Sequence, residues 1–238
     1  MRSFIVLMFI VNSATSVHAL AETNSESVRA LAFGDSLTAG TSPPDFNLYP
    51  YAHYLEANLK LDPFAFSYPV IVRHKGYPGW TASQLVEYSE FDGGLAHIID
   101  KIQNPPLSLV IILAGTNDLA YETSADRIVQ SITRLHQICH EKGVAHTIAI
   151  GIPPSGYQVQ VKSVGDLAQK INESLESYCV QREEHMTFFP FPFDFNRGDD
   201  LWCSDGLHFT KKGYQQLAES LAPLVTDIIK KTHGSTKS

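Results

Sequence analysis

Val28-Arg29-Ala30-Leu31-Ala32-Phe33-Gly34-Asp35-Ser36-Leu37-Thr38 is the stretch on which the reading of this chain turns. Residues 28–33 form an apolar, strand-like run. Gly34-Asp35 then makes a tight turn, since both residue types favour one. A strand that ends this way presents the Ser36 hydroxyl at the edge of a sheet. Far downstream, Asp205-Gly206-Leu207-His208 places an acid three residues before a histidine. A serine hydroxyl is a weak nucleophile until a base takes its proton, and a carboxylate-oriented imidazole is such a base.

Working outward, strand-like runs at 28–33, 69–73, 108–114, 144–150 and 186–189 alternate with helical patterns at 50–60, 81–88, 124–142, 166–184 and 211–231. The run at 108–114 has Leu109-Val110-Ile111-Ile112-Leu113 at its heart, as expected of a strand buried on both faces. In the last helix Tyr214, Leu217, Leu221, Leu224, Val225 and Ile228 form one stripe, with Thr210 as its N-cap. Such alternation predicts an α/β fold, a five-stranded parallel sheet with helices on both faces. Ligands in that architecture bind at the carboxyl ends of the strands. Four segments fall at that one edge: Ser36 after the first strand, Gly76-Tyr77-Pro78-Gly79-Trp80 after the second, Gly115-Thr116-Asn117-Asp118 after the third, and Asp205 with His208 after the fifth.

Composition narrows the function. The chain has 238 residues, 44% of them hydrophobic and 18% charged, which suits one globular domain over residues 22–238. Its net charge is −7, and Lys230-Lys231 near the C-terminus is no more than a basic pair, so a nucleic-acid partner lacks its electrostatic footprint. Arg2, the apolar run 4–11 and Ala19-Leu20-Ala21 read as a secretory signal peptide over residues 1–21. The apolar run is too short to span a bilayer. The expectation is a secreted protein, extracellular or periplasmic, with no stable membrane insertion.

The pattern implies serine hydrolase chemistry with Ser36 as nucleophile, His208 as base and Asp205 as its orienting acid. A tetrahedral intermediate also needs donors where negative charge develops. The N–H of Ser36, the N–H of Gly79 and the side-chain amide of Asn117 are the natural oxyanion set. No Gly-x-Ser-x-Gly occurs, since position 38 is Thr, so the α/β-hydrolase elbow is absent.

Gly34-Asp35-Ser36-Leu37, the Gly-x-x-Gly turn, Gly115-Thr116-Asn117-Asp118 and Asp205-x-x-His208 resemble the four sequence blocks of the SGNH/GDSL hydrolase superfamily, in its order, across residues 34–208. The resemblance implies a flavodoxin-like three-layer α/β/α sandwich, with Ser36, Gly79, Asn117 and His208 as the namesake residues and Asp205 completing the triad. It implies hydrolysis of carboxylic esters with no metal or organic cofactor. Pro78 stands where many members carry a small polar residue, and Gly76 is the alternative glycine. Lipid acyl esters and acetylated carbohydrates both remain open as substrates. An acyltransferase on the same triad is the alternative reaction. A non-catalytic carbohydrate- or lipid-binding protein would be expected to have lost triad members, and each is present.

Tyr77, Trp80, Tyr157 and Trp202, with Phe193 and Phe195, are candidates to line the mouth of the site, where rings suit an acyl chain or a sugar face. His136 and His140 share a helical face at zincin spacing, but residue 137 is Gln, which cannot act as the base of that motif. Asp194, Asp199, Asp200 and Asp205 lack the ordered spacing of a calcium loop. Cys139, Cys179 and Cys203 allow at most one disulfide. Cys139 and Cys179 are the pair that neighbouring helices could bring together, though buried free thiols are the favoured reading. Asn172-Glu173-Ser174 is a glycosylation acceptor sequence.

Overall fold

The computed structural model describes residues 27–61, 66, 68–103 and 106–234. The leader expected over residues 1–21 lies outside them. In chain order the elements are β1 (Val28–Asp35), α1 (Ser36–Ala39), β2 (Thr41–Ser42), β3 (Asn47–Leu48), α2 (Tyr51–Leu59), β4 (Val70–Tyr77), α3 (Ala82–Glu87), α4 (Leu95–Lys101), β5 (Leu109–Leu113), α5 (Ala125–Glu141), β6 (His146–Ile150), α6 (Gly156–Gln160), α7 (Lys162–Val180), β7 (Met186–Phe189) and α8 (Lys211–Gly234). A 3-10 turn, Asn117–Ala120, follows β5.

Five strands form a parallel sheet in the order β4-β1-β5-β6-β7. The short β2 and β3 pair antiparallel beside it. Because strand side chains alternate, each strand feeds two cores. Ala30, Ala32, Leu109, Ile111 and Leu113 face the layer holding α2 and α8, with Tyr51, Leu55, Tyr214, Leu217 and Leu221. Leu31, Phe33, Val110 and Ile112 face the other layer, built from α3, α4, α5 and α7. The expected three-layer α/β/α arrangement is therefore present. Among the described residues no helix is long and apolar enough to cross a membrane.

Several boundaries differ from the sequence reading, each for a local reason. β4 runs on to Tyr77 because its polar end, Arg73-His74-Lys75, still pairs with β1 at the edge of the sheet. Helix α7 starts at Lys162, four residues early, and Lys162 binds both carboxylate oxygens of Asp166 one turn on, at 2.8 Å. Helix α4 gave no sequence signal; its apolar positions Leu95, Ala96 and Ile99 are too few for a clear period. Thr210 does cap α8, accepting from the Gly213 N–H at 3.3 Å.

His136 is structural. It is buried on α5 and neither ring nitrogen has a hydrogen-bond partner among the described residues. Burial pushes its pKa down to about 3, with the neighbouring His140 adding to the effect. The folded state thus keeps this ring neutral while the unfolded chain protonates it near 6.5. The stability tied to neutral His136 is complete above that value and is lost as pH falls toward 3, by at most about 5 kcal/mol. His136→Leu is expected to raise Tm more at pH 4.5 than at pH 8, as read by thermal unfolding; an equal shift at both would contradict this.

Candidate active site

Ser36 sits at a junction built by its neighbours. β1 ends at Asp35, whose carboxylate accepts from the Leu37 N–H at 2.9 Å and so caps α1. Gly40 closes that one-turn helix in a left-handed conformation, donating to the Ser36 carbonyl at 3.0 Å. The serine therefore stands at a helix N-terminus, where backbone N–H groups lack intrahelical partners. Asp35 itself is fully buried. Desolvation, with a smaller push from the charge of Asp118, lifts its carboxyl to about 7 against the opposing bond from Leu37.

Asp205 and His208 are displayed by a loop that closes on itself. Trp202 and Phe209 form an antiparallel bridge, Cys203 N–H donates to the His208 carbonyl at 2.8 Å, and Gly206 N–H donates to the Cys203 carbonyl at 3.0 Å. From this loop His208 Nε2 lies 2.9 Å from Ser36 Oγ, and Nδ1 lies 2.7 Å from Asp205 Oδ2. The other carboxylate oxygen, Oδ1, accepts from the backbone N–H groups of Leu207 and His208 at 3.0 and 3.1 Å. Burial alone would raise the Asp205 carboxyl; the bonds from the His208 ring and from the two amides outweigh it and hold the group below the usual carboxylate range. An ionised carboxylate only accepts, so Nδ1 carries the proton of the neutral ring. Nε2 is then the acceptor, and the Ser36 hydroxyl donates to it.

Gly79 lies in the turn Tyr77-Pro78-Gly79-Trp80, closed by Trp80 N–H donating to the Tyr77 carbonyl at 3.1 Å. Its φ of +82° at the third position, after proline, is the type II pattern, which explains why Pro78 precedes this glycine. Gly76, the alternative glycine, lies within β4, where an added Cβ would stand 2.3 Å from the Ala39 nitrogen and 2.4 Å from the Asp35 carbonyl oxygen, so close packing of α1 accounts for a glycine there. Asn117 opens the 3-10 turn after β5 and donates one amide proton to the Trp80 carbonyl at 2.8 Å. The amide has a second N–H to offer. Asn117 and the Gly79 turn thus share one frame.

The aromatic candidates separate. Tyr77 and Trp80 stack with centroids 4.5 Å apart, half-buried, and the Tyr77 hydroxyl is tied to the Gly93 carbonyl at 2.8 Å. Tyr157 is 49% exposed on α6, next to Gly156, whose N–H donates to the Gly206 carbonyl in the histidine loop at 2.8 Å. Trp202 is a correction. It is 6% exposed, its indole N–H donates to the Asp194 carbonyl at 3.1 Å, and its ring packs on Phe193, Phe195 and Phe209. These rings anchor the His208 loop in the core; Trp202 is too buried to line the mouth of the site, while Phe193 and Phe195 are half-buried. A groove of about 680 Å³ does open beside Gly79, along α3 and α5, lined by Thr81, Ser83, Gln84, Gln130 and Ser131 among others.

Other expectations resolve simply. The three cysteines are buried free thiols, and Cys203 Sγ lies 3.3 Å from Ser42 Oγ. The Asn172 amide accepts from the Ile152 N–H at 2.7 Å and donates to the Ile152 carbonyl at 3.1 Å, so it clamps the chain after β6 and is not a free glycan acceptor. His140 binds Thr147 and the Val144 carbonyl. The sequence reading gave no role to Asp118. It is buried, accepts from the Ala82 N–H at 2.9 Å, and its signal was an acid directly after Asn117.

The model of the GDSL-like Lipase/Acylhydrolase family matches residues 32–216. No curated protein sequence matches the chain. Among solved structures, a carbohydrate acetylesterase family member from Sinorhizobium meliloti is 16% identical, with TM-score 0.64, over 85% of this chain and 99% of that one. An aryl esterase from M. smegmatis is 18% identical, with TM-score 0.64, over 84% and 99%. A lipase/acylhydrolase from Enterococcus faecalis is 20% identical, with TM-score 0.59, over 84% and 96%. At these identities the likeness concerns the fold.

Proposed function

Because the chain belongs to the GDSL-like lipase/acylhydrolase family, we propose that it is an exported carboxylic ester hydrolase that works through an acyl-Ser36 intermediate. One observation carries the reading: the continuous relay from Asp205 through His208 to Ser36, at 2.7 and 2.9 Å. As Ser36 Oγ attacks the ester carbonyl carbon, its proton passes to His208 Nε2, and Asp205 stabilises the imidazolium. Negative charge builds on the carbonyl oxygen, facing the Ser36 N–H, the Gly79 N–H and the Asn117 amide. The tetrahedral species then expels the alcohol, which takes the proton from His208. Water repeats the sequence on the acyl-enzyme, releasing the carboxylic acid and restoring Ser36.

The substrate favoured here is a short acyl group on a polar alcohol, the class named for the carbohydrate acetylesterase that shares this fold. The groove beside Gly79, where hydroxyl and amide side chains stand among Tyr121, Ile128, Glu122 and Arg127, offers room for the alcohol part. Trp202, being buried, adds nothing to an apolar wall for a long acyl chain. Rates on a p-nitrophenyl ester series are expected to fall from acetate to palmitate, and acetylated polysaccharides to be deacetylated. A maximum at palmitate would overturn the short-acyl reading, and EDTA-sensitive activity restored by zinc or calcium would overturn the metal-free one.

Two further outcomes follow from the assigned roles. Asn117→Ala is expected to lower kcat by ~10²–10³ with little change in KM, because the donor acts on charge present only in the transition state. A purely structural asparagine would instead lower Tm and leave kcat of the folded fraction intact. On the acid side, Asp205 is held ionised below the usual carboxylate range, so its protonation should add nothing to a loss of kcat/KM within or above that range. An Asp205 carboxyl that titrates, by NMR, at or above the usual carboxylate range would contradict this.

A further inference from the structure

We infer that Asp118 is a positioning residue that holds the Gly79 N–H and the Asn117 amide in register as a pair; this rests on the esterase reading above. The two donors hang from different strands. Gly79 follows β4 and Asn117 follows β5, and β1 lies between those strands. Two strand spacings, roughly 10 Å, separate their origins, and no ladder bond joins β4 to β5 directly. Both strands are registered on β1, which fixes their ends at Tyr77 and Leu113; beyond those ends the relative position of the two donors depends on contacts between the loops.

Among the described residues two hydrogen bonds join these loops, from consecutive residues. Asn117 donates to the Trp80 carbonyl at 2.8 Å, and the Asp118 carboxylate accepts from the Ala82 N–H at 2.9 Å. The first alone is a single bond made by the amide that must itself be aimed, and the amide can pivot about it. The second fixes the start of α3, from which the Gly79-Trp80 turn hangs. Local capping leaves this place open: Thr81 caps the Gln84 N–H in a capping box, so the Ala82 N–H is satisfied by an acid from another segment. Asp118 also steadies its own side of the clamp, its carbonyl accepting from Tyr121 and Glu122 N–H at 2.9 and 2.8 Å. The carboxylate is 4% exposed, and burial raises its pKa against the bond from Ala82. A buried acid placed on one backbone N–H is an expensive way merely to fill space.

The test compares Asp118→Ala, Asp118→Asn, Ala82→Pro and the double variant Ala82→Pro/Asp118→Ala on p-nitrophenyl acetate, with Tm measured for each. Asp118→Ala is expected to lower kcat about 10–100-fold with KM nearly unchanged, the scale of a small misplacement of catalytic groups. Asp118→Asn, which keeps an oxygen acceptor for Ala82, should recover most of that loss. Ala82→Pro removes the same bond from the other side; proline suits the first helical position, and Thr81 before it is already extended. It should reproduce the kcat loss, and it carries the test if Asp118→Ala does not fold. The double variant should be no slower than Asp118→Ala. A normal kcat with only a lowered Tm in Asp118→Ala or Ala82→Pro, or multiplicative losses in the double variant, would overturn the inference. Failure of the esterase reading is separate: it would appear as activity retained in Ser36→Ala.

Discussion

Ser36→Ala is expected to lower kcat on short-chain esters by about 10⁶-fold, the scale seen when the nucleophile of a serine hydrolase is removed. The Ser36 hydroxyl is the group that His208 Nε2 contacts at 2.9 Å. Without it the imidazole has no attacking oxygen to activate, and only binding and the oxyanion donors remain. The fold should survive, because α1 is held by the Asp35 cap on Leu37 and by the Gly40 closure, neither of which uses the serine side chain. Circular dichroism and Tm should match wild type. Activity within tenfold of wild type would remove Ser36 from the mechanism.

Asp205→Asn should cost about 10⁴ in kcat while leaving measurable turnover. An asparagine oxygen can still accept from the Leu207 and His208 N–H groups, as Asp205 Oδ1 does now. The position facing Nδ1 would become a donating NH2. That forces Nδ1 to accept and places the ring proton on Nε2, toward Ser36, where an acceptor is needed. The loop is kept and the tautomer is wrong. Asp205→Ala loses the loop bonds as well, so it should lower Tm where Asp205→Asn does not. Equal kcat for Asp205→Asn and wild type would show that the carboxylate does not orient the base.

Much of this arrangement is legible in the residues themselves. The alternation of apolar runs places Ser36, Gly79, Asn117, Asp205 and His208 at one sheet edge because strand ends in a parallel sheet share an edge. The serine and histidine, distant in sequence, meet as that reasoning requires. The cost of reading aromatic residues by type appears at Trp202, where the sequence cannot tell a ring that lines a cleft from one that anchors the loop beside it. Pro78 shows the reverse case: unusual as a member of its motif, it is ordinary as the second residue of a type II turn before Gly79. Asp118 and Asn172 escaped because their work is done on backbone groups far away in sequence, Ala82 and Ile152, and such pairings leave no local pattern.

The central claim is that Ser36 is the nucleophile, and covalent labelling tests it most directly. The protein would be treated with a fluorophosphonate, digested, and the adduct located by tandem mass spectrometry. A single phosphonyl group on the peptide carrying Ser36, absent in Ser36→Ala and strongly slowed in His208→Ala, is the predicted result. No adduct on active protein, or an adduct on another serine that persists in Ser36→Ala, would contradict the account.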